Sequence, residues 1–197
     1  MERDIGAIVT AAGASSRMGD EHKALLDWRG RPLVAHQVAA LEAAGFDAIV
    51  VVTGADGDVV AEATPDAATV VHNADWRTGR SGSIEAGAAA LPDDVDAILV
   101  VAVDQPLDRA VLDQLVDHAG QALVQPVDTD GRPGHPVILG GQHLSALRDI
   151  EQEPEGLRTI VRRLRPEGTM VEVDALPHWD LNTPEAYREA RRQAAEC

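Results

Sequence analysis

The chain of 197 residues is long enough for one domain that buries about 70% of its unfolded surface. A formal net charge of −16 argues against a nucleic acid or an anionic membrane as a partner, because no basic patch offsets the repulsion. Hydrophobic residues make up 45% of the sequence, so a packed core is expected rather than disorder. The single cysteine, Cys197, excludes a disulfide framework and a zinc site built on thiolates.

The N-terminal sequence MERDIGAIVTAAG contains only a short apolar run before glycine and polar residues. A run of this kind fits neither a secretory signal peptide nor a membrane span. We therefore expect a cytoplasmic protein without a membrane partner.

Apolar, β-branched runs alternate with helical patterns along the chain. Buried strands are predicted at 5–11, 48–54, 68–73 and 97–104. A helix is predicted over 32–45, with Pro32 in its first turn and Gly45 at its C-terminal end. Further helices are predicted at 83–90, 107–119, 142–150, 155–164 and 184–196, and the turn-rich segment 128–135 is predicted to be a surface loop.

This strand–helix alternation is typical of a mainly parallel sheet that is covered by helices on both faces. The expected fold is therefore a Rossmann-like, three-layer α/β/α arrangement. We find no repeat or linker, and so we expect a single domain over residues 1–197.

The loop AAGASSRMG follows the first predicted strand. In open parallel sheets, ligands bind in the crevice at the carboxyl ends of the strands, where such a loop opens. Gly13 permits a positive φ and lets a ligand approach the backbone. Ala14, Ser15 and Ser16 offer consecutive N–H groups that can cradle a phosphate.

Two familiar phosphate-binding patterns are absent from this loop. Gly13 and Gly19 are six residues apart and Asp20 stands where a Walker A sequence needs lysine. The dinucleotide fingerprint G-x-G-x-x-G is also missing, which argues against a dehydrogenase-like dinucleotide binder.

Lys23 is the only lysine in the chain, and the other 16 of its 17 basic residues are arginines. If arginine replaces lysine wherever it can, Lys23 marks a position where arginine does not serve, although chance retention is the alternative. Arg17 provides a planar fork for bidentate phosphate contact, and Lys23 provides a compact ammonium for a single oxygen. Together they favour a phosphate-binding loop over a plain connection between strand and helix.

Five motifs in order resemble the molybdenum cofactor cytidylyltransferases, which are MobA/MocA-type NTP transferases. The chain carries Ala-Ala-Gly-x-Ser-x-Arg-Met-Gly followed by Lys23, and then the spacing of RGRPLV. It also carries NADWRTGRSGSI at 73–84, VDQP at 103–106, GHPV at 134–137 and DLNTPE at 180–185. The chain departs from the family pattern at Thr10, where leucine is usual, and at the insertion-like DEH before Lys23.

The resemblance implies a fold of the nucleotide-diphospho-sugar transferase type and transfer of CMP from CTP to a phosphate, with release of pyrophosphate. The attacking phosphate oxygen is already an anion, so cations, N–H donors and positioning should supply the catalysis. The implied catalytic residues are Arg17 on the β- and γ-phosphates, Lys23 on the α-phosphate, and Asp104. Mg²⁺ is the implied cofactor.

Asp104 ends an apolar strand, and Asp180 and Asn182 are expected to supply further oxygens to Mg²⁺. The alternative roles are ordinary helix starts, with Asp104 capping the helix after Pro106 and the Thr183 region opening the last helix.

Residues 73–87 are expected to form the nucleotide wall, with Trp76 in the core and Arg80 either near a phosphate or solvated. The expected nucleotide-binding residues are Ala11, Ala12, Gly13, Ser15, Ser16, Arg17, Lys23, Asn73, Gly79, Ser81 and Ser83. The resemblance places the acceptor at Gly134 and His135.

The expected substrates are CTP, or another nucleoside triphosphate, and an anionic acceptor, the molybdopterin cofactor, with a molybdoenzyme as a possible partner. Ala12 in place of glycine fits the pyrimidine-using relatives. Alternatives in the same superfamily are a guanylyltransferase of molybdopterin or phospholactate, and a cytidylyltransferase of an isoprenoid precursor. A non-catalytic nucleotide-binding accessory protein for a molybdoenzyme is a further alternative.

Overall fold

The computed structural model describes residues 3–16, 18 and 22–196. Its strands are β1 (Ile5–Ala11), β2 (Asp27–Trp28), β3 (Arg31–Pro32), β4 (Ala48–Thr53), β5 (Ala68–His72), β6 (Ala97–Ala102), β7 (Leu123–Val127), β8 (Val137–Gly140) and β9 (Thr169–Glu172). Its α-helices are α1 (Leu33–Ala43), α2 (Gly57–Glu62), α3 (Arg80–Ala90), α4 (Arg109–Val116), α5 (Leu144–Arg148), α6 (Leu157–Leu164) and α7 (Pro184–Glu196).

The described residues form a mainly parallel, seven-stranded sheet in the order β5-β4-β1-β6-β8-β7-β9. Strands β5, β4, β1 and β6 run parallel to one another, so their carboxyl ends share one edge. Strand β8 is antiparallel to both β6 and β7, and β9 pairs parallel with β7. The predicted Rossmann-like α/β fold is confirmed.

Two hydrophobic clusters cover the two faces of this sheet. Because side chains alternate along a strand, Val9 of β1 joins one cluster and Ile8 joins the other. The first cluster includes residues of α1, α4 and α7, and the second includes residues of α3, α5 and α6. The three layers follow from this division.

The four predicted strands and six predicted helices are present with shifted ends, but β5 is half-buried to exposed rather than buried. Helix α2 and the strands β2, β3, β7, β8 and β9 were missed. Strand β7 contains Pro126, a residue that normally argues against a strand because it cannot donate to the ladder. Its carbonyl still accepts from the Gly134 N–H at 2.8 Å. Strand β9 lies at the sheet edge and is too short to show a periodic pattern.

The short hairpin of β2 and β3 follows the loop that carries Lys23. Arg29 and Gly30 form its two-residue turn with φ values of 53° and 84°, the left-handed pair that a tight hairpin favours. Trp28 is fully buried and stacks edge-on against Trp179, with 5.2 Å between ring centroids. The hairpin thereby anchors the C-terminal segment beside the first loop.

Among the described residues, no helix combines the length and the apolar character that crossing a membrane requires.

Helix α3 approaches β1 closely because Gly87 has no side chain. A Cβ at this position would lie 2.5 Å from Cγ2 of Ile8, which is fully buried in β1. We expect Gly87→Ala to lower the free energy of unfolding, because overpacking costs about 1–3 kcal/mol and better helix propensity returns at most about 1 kcal/mol. Chemical denaturation measures the change.

The matched control is Ala89→Ser on the exposed side of the same helix, which should change stability by no more than about 0.5 kcal/mol. Equal stability of Gly87→Ala and the wild type would show that α3 does not need this close approach.

Candidate functional site

A cavity of about 360 Å³ opens at the carboxyl ends of β1 and β6. The loop after β1 lines one side, the end of β6 lines the floor, and the segment from Trp76 to the start of α3 lines the other side. The described lining residues are Thr10, Ala12, Gly13, Ser15, His22, Lys23, Trp76, Arg77, Gly79, Arg80, Ser83, Ala102, Val103 and Asp104.

The loop after β1 is shaped by Ser15 rather than by Gly13. Ser15 has a φ of 53°, whereas Gly13 is not among the residues with positive φ, so the loop does not use the freedom that Gly13 permits. The Ser15 hydroxyl accepts from the Lys23 N–H at 2.9 Å, which closes the loop. A Cβ at Gly13 would meet nothing within 4 Å, so the backbone there faces open space.

Two other expected residues of this loop have different surroundings. Ala11 is buried within β1 and does not line the cavity, and Ser16 is exposed. Arg17 lies outside the described residues.

Lys23 brings together residues that are far apart in the sequence. Its Nζ donates to Oδ2 of Asp104 at 2.8 Å and to Oδ1 of Asn182 at 2.5 Å. The side chains of Lys23 and Asp104 are only 12% and 11% exposed. The expected catalytic lysine and two of the three expected metal ligands therefore form one cluster at the cavity floor.

Asp104 is not the cap of the helix that follows it. Asp108 performs that function for α4, since its Oδ1 accepts from the N–H groups of Ala110 and Val111. The Asp104 carboxylate is thereby left to face Lys23.

The DLNTPE segment starts the last helix and also contacts Lys23. Thr183 accepts from the Ala186 N–H at the start of α7, while the neighbouring Asn182 contacts Lys23.

Gln37 is a positioning residue that the sequence analysis missed. It is fully buried in α1, its Nε2 donates to the Gln105 carbonyl at 2.9 Å, and its Oε1 accepts from the Leu107 N–H at 2.8 Å. These bonds hold the turn that carries Asp104. A glutamine on the apolar face of the predicted helix 32–45 was the available signal.

His22 is a second missed residue. Its Nδ1 accepts from the Ala24 N–H at 3.2 Å, and it thereby caps the short 3₁₀ turn that carries Lys23. Its Nε2 is buried without a hydrogen-bond partner in the described part of the chain. Burial lowers the pKa of His22, which keeps the ring neutral beside Lys23.

The opposite wall carries an aromatic side chain. Trp76 is half-buried and lines the cavity, so the expectation that it lies in the core was wrong. The guanidinium carbon of Arg77 lies 4.3 Å from the centre of the Trp76 ring. Gly79 and Ser83 also line the cavity, as predicted.

Two residues expected on this wall lie elsewhere. Asn73 is buried behind the wall, where its Nδ2 donates to Ser83 and its Oδ1 accepts from the Asp75 N–H. Ser81 lines a second, larger cavity of about 660 Å³.

Arg80, at the start of α3, lines both cavities, and His135 and Asp180 also line the larger one. The pKa of His135 is lowered first by burial and then by the Arg80 charge. Asp180 is exposed and lines the larger cavity rather than the first one. Gly134 does not line either cavity, because it packs against Leu176, with which an added Cβ would clash at 2.6 Å.

The geometry around the first cavity suits an anionic ligand. It combines Lys23, Arg77 and Arg80 with exposed backbone at Gly13 and with the N-terminus of α3, where the helix dipole favours negative charge. No group of three or more histidine, cysteine, aspartate or glutamate side chains in the described ranges is arranged to hold a metal ion. The MobA-like NTP transferase domain matches residues 7–168 of the chain.

The chain belongs to the MobA-like NTP transferase family. A nicotine blue oxidoreductase from Paenarthrobacter nicotinovorans is 30% identical over 168 residues, which cover 81% of this chain and 82% of that protein. A bifunctional protein GlmU from Rhizobium johnstonii is 30% identical over 169 residues, which cover 81% of this chain and 37% of that protein. The chain therefore spans less than half the length of GlmU.

Solved structures agree with this membership. A nucleotidyl transferase from Methanothermobacter is 26% identical with a TM-score of 0.81, and the match covers 98% of each chain. Rv0371c from Mycobacterium tuberculosis, in a complex with manganese, has a TM-score of 0.78 and covers 98% of this chain and 100% of its own. At 22% identity, the second likeness shows the fold alone. This MobA-like chain is an enzyme of the nucleotidyltransferase class.

Gly13, which lines the cavity, and Gly54, which packs behind Trp76 and Ala12, are expected to respond differently to a methyl group. A Cβ at Gly54 would lie 2.6 Å from the Trp76 Cβ and 2.7 Å from the Ala12 carbonyl oxygen, whereas Gly13 faces open space. We expect Gly54→Ala to destabilise the fold by about 1–3 kcal/mol. Gly13→Ala should keep the wild-type melting temperature and weaken nucleotide binding about tenfold, because its methyl enters the cavity.

Thermal denaturation and calorimetric titration with CTP and Mg²⁺ measure the two effects. Wild-type CTP affinity in Gly13→Ala would show that the nucleotide does not approach this backbone.

Proposed function

We propose that the protein transfers the CMP group of CTP to the phosphate of a molybdenum-bound pterin cofactor and releases pyrophosphate. The observation that carries the proposal is the Lys23, Asp104 and Asn182 cluster at the floor of a cavity whose walls are cationic. In this reaction an acceptor phosphate oxygen bonds to the α-phosphorus, and the bond from that phosphorus to the pyrophosphate oxygen breaks. The acceptor oxygen is already an anion, so the site needs no strong general base.

The chain's own cations would stabilise the charge that moves during transfer. Lys23 would neutralise the α-phosphate, and Arg17 is proposed for the β- and γ-phosphates. The N-terminus of α3, with Gly79 and Arg80, would hold further phosphate oxygens. Preorganised donors of this kind typically contribute several kcal/mol to the lowering of a barrier.

The oxygens around Lys23 fit a magnesium ion. Oδ2 of Asp104 and Oδ1 of Asn182 already converge on one cation, the Lys23 ammonium, and both are the hard oxygen donors that Mg²⁺ takes. Mg²⁺ keeps most of its waters and takes one or two protein oxygens, so this pair suffices, and Asp180 would contribute from the adjacent wall. Bound there, Mg²⁺ would neutralise charge on phosphate oxygens. The manganese complex of Rv0371c supports a divalent ion.

The choice of CTP is supported by Ala12. Its methyl group is buried and lines the cavity, and it leaves less room for a purine than glycine would. One methyl group in a pocket discriminates by about 1–3 kcal/mol. His135, which lines the larger cavity, is proposed to contact the acceptor, with Gly134 setting its backbone. We place the reaction in the cytoplasm and propose a molybdoenzyme as the recipient of the product.

The proposal predicts pyrophosphate release when the protein is incubated with CTP, Mg²⁺ and the pterin cofactor. Lys23→Arg should lower kcat by about two to three decades, because a planar fork does not place one donor where the ammonium lies between Asp104 and Asn182. Pyrophosphate is assayed with each nucleoside triphosphate, and melting temperatures confirm folding.

The matched control is Arg109→Lys, the reverse conservative change in an exposed ion pair with Asp113, which should leave the rate unchanged. A preference for GTP would overturn the choice of CTP, and wild-type rates in Lys23→Arg would remove Lys23 from the mechanism. Oxidation of NADH and NADPH is followed in parallel, because one relative carries the name of an oxidoreductase.

Asp104→Asn tests the proposed metal ligand. The variant keeps the side-chain shape and loses the charge that Mg²⁺ requires, so we expect a folded protein with kcat lowered at least tenfold and partly restored by raised Mg²⁺. Steady-state pyrophosphate release over a magnesium series measures both effects.

Asp108→Asn is the control, because it lies four residues further on and asparagine keeps the cap of α4. A rate that is unchanged in Asp104→Asn at every magnesium concentration would exclude Asp104 as a metal ligand.

A further inference from the structure

The larger cavity, of about 660 Å³, carries a stripe of arginines on one helix face. Arg158, Arg162 and Arg165 line it from α6 and its C-terminal end. Their spacing of four and three residues places successive side chains on the same helical face. We call these three residues the arginine stripe.

The arginine stripe makes this cavity positively charged, although the protein as a whole is negatively charged. The whole chain carries a net charge of −16, yet four arginines and two carboxylates line the described part of this cavity, with Arg80 as the fourth arginine. A positive cavity in a negative protein attracts anions locally, since charges more than about 8 Å away are screened at physiological salt.

Two arginines of the arginine stripe are bonded to neighbouring side chains, and donors of the stripe remain available for a ligand. The Arg165 guanidinium donates to Oε1 of Gln125 at 3.1 Å, and Gln125 is itself buried and bonded to the Gly134 carbonyl. Arg162 pairs with Glu155 at 2.6 Å and retains further N–H donors. Within the described residues, Arg158 has no recorded ion-pair partner.

The cavity also offers apolar surface. Ile84, Val137, Leu157 and Val161 line it beside the arginines. A ligand that suits both surfaces has an apolar or ring-shaped body and an anionic group. This cavity is larger than the first cavity, and Arg80 lines both of them. Gln105, directly after Asp104, also lines the larger cavity.

We propose that the arginine stripe binds a second anionic group of the acceptor, at the end opposite the phosphate that receives the nucleotidyl group. The acceptor is therefore an elongated organic molecule that carries an anion at each end, with an apolar or ring body against α6. The assignment of the ligand as the acceptor, with its second anion on the arginine stripe, rests on the proposed function. The ability of the cavity to bind an anion does not depend on that function, and the test measures the two separately.

The test compares the double variant Arg158→Gln/Arg165→Gln with Arg163→Gln. Arg163 lies on the same helix, is 54% exposed and pairs with Glu153, but it does not line the cavity. Inorganic sulfate is titrated into each protein and the backbone amide resonances of α6 are followed by NMR.

We expect saturable shifts of the α6 amides in the wild type and in Arg163→Gln. In the double variant, sulfate binding should be at least tenfold weaker. Equal sulfate binding in the double variant and the wild type would overturn the anion site.

Turnover gives the second readout. The double variant should raise KM for the pterin acceptor at least tenfold while KM for CTP and kcat stay within twofold. If no acceptor reacts with the wild type, the proposed function fails while the sulfate result still stands. A normal acceptor KM in the double variant would overturn the role of the stripe in acceptor binding.

Discussion

The buried contact of the Lys23 ammonium with Asp104 and Asn182 is the constraint on which the site depends. It joins the loop after β1, the end of β6 and the segment before α7, across separations of 81 and 159 residues in sequence. Removing one partner of a buried ion pair typically costs about 3–5 kcal/mol, because the remaining charge is left without compensation. The three segments therefore need one another to keep the cavity floor intact.

Each member of this cluster has separate structural support. His22 caps the turn that presents Lys23, and Gln37 holds the backbone turn after Asp104. Trp28 packs on Trp179 three residues before Asn182, and so the hairpin that follows Lys23 also fixes the C-terminal segment. Few rotamers remain open to any of the three side chains, which is the preorganisation that electrostatic catalysis requires.

The all-parallel side of the sheet was predictable, because β5, β4, β1 and β6 are apolar, β-branched runs. Strands β7 and β9 were not, since β7 contains Pro126 and the run at Thr169–Glu172 is short and mostly half-buried, so neither shows a clear period. Lys23, Asp104 and Asn182 were each identifiable by residue type and motif. Their mutual contact was not predictable, because it depends on tertiary packing. For the same reason the motif at 73–84 did not show that Asn73 lies behind the cavity wall rather than in it.

The acidity of the chain changes how an anionic substrate must be recognised. At long range a protein of net charge −16 repels nucleoside triphosphates, and this repulsion decays within about 8 Å at physiological salt. Inside that distance the described lining of the first cavity presents Lys23, Arg77 and Arg80 against one carboxylate, Asp104. A divalent ion on the nucleotide would lower the negative charge that approaches the protein, so the charge distribution would favour a metal-bound nucleotide over a free one.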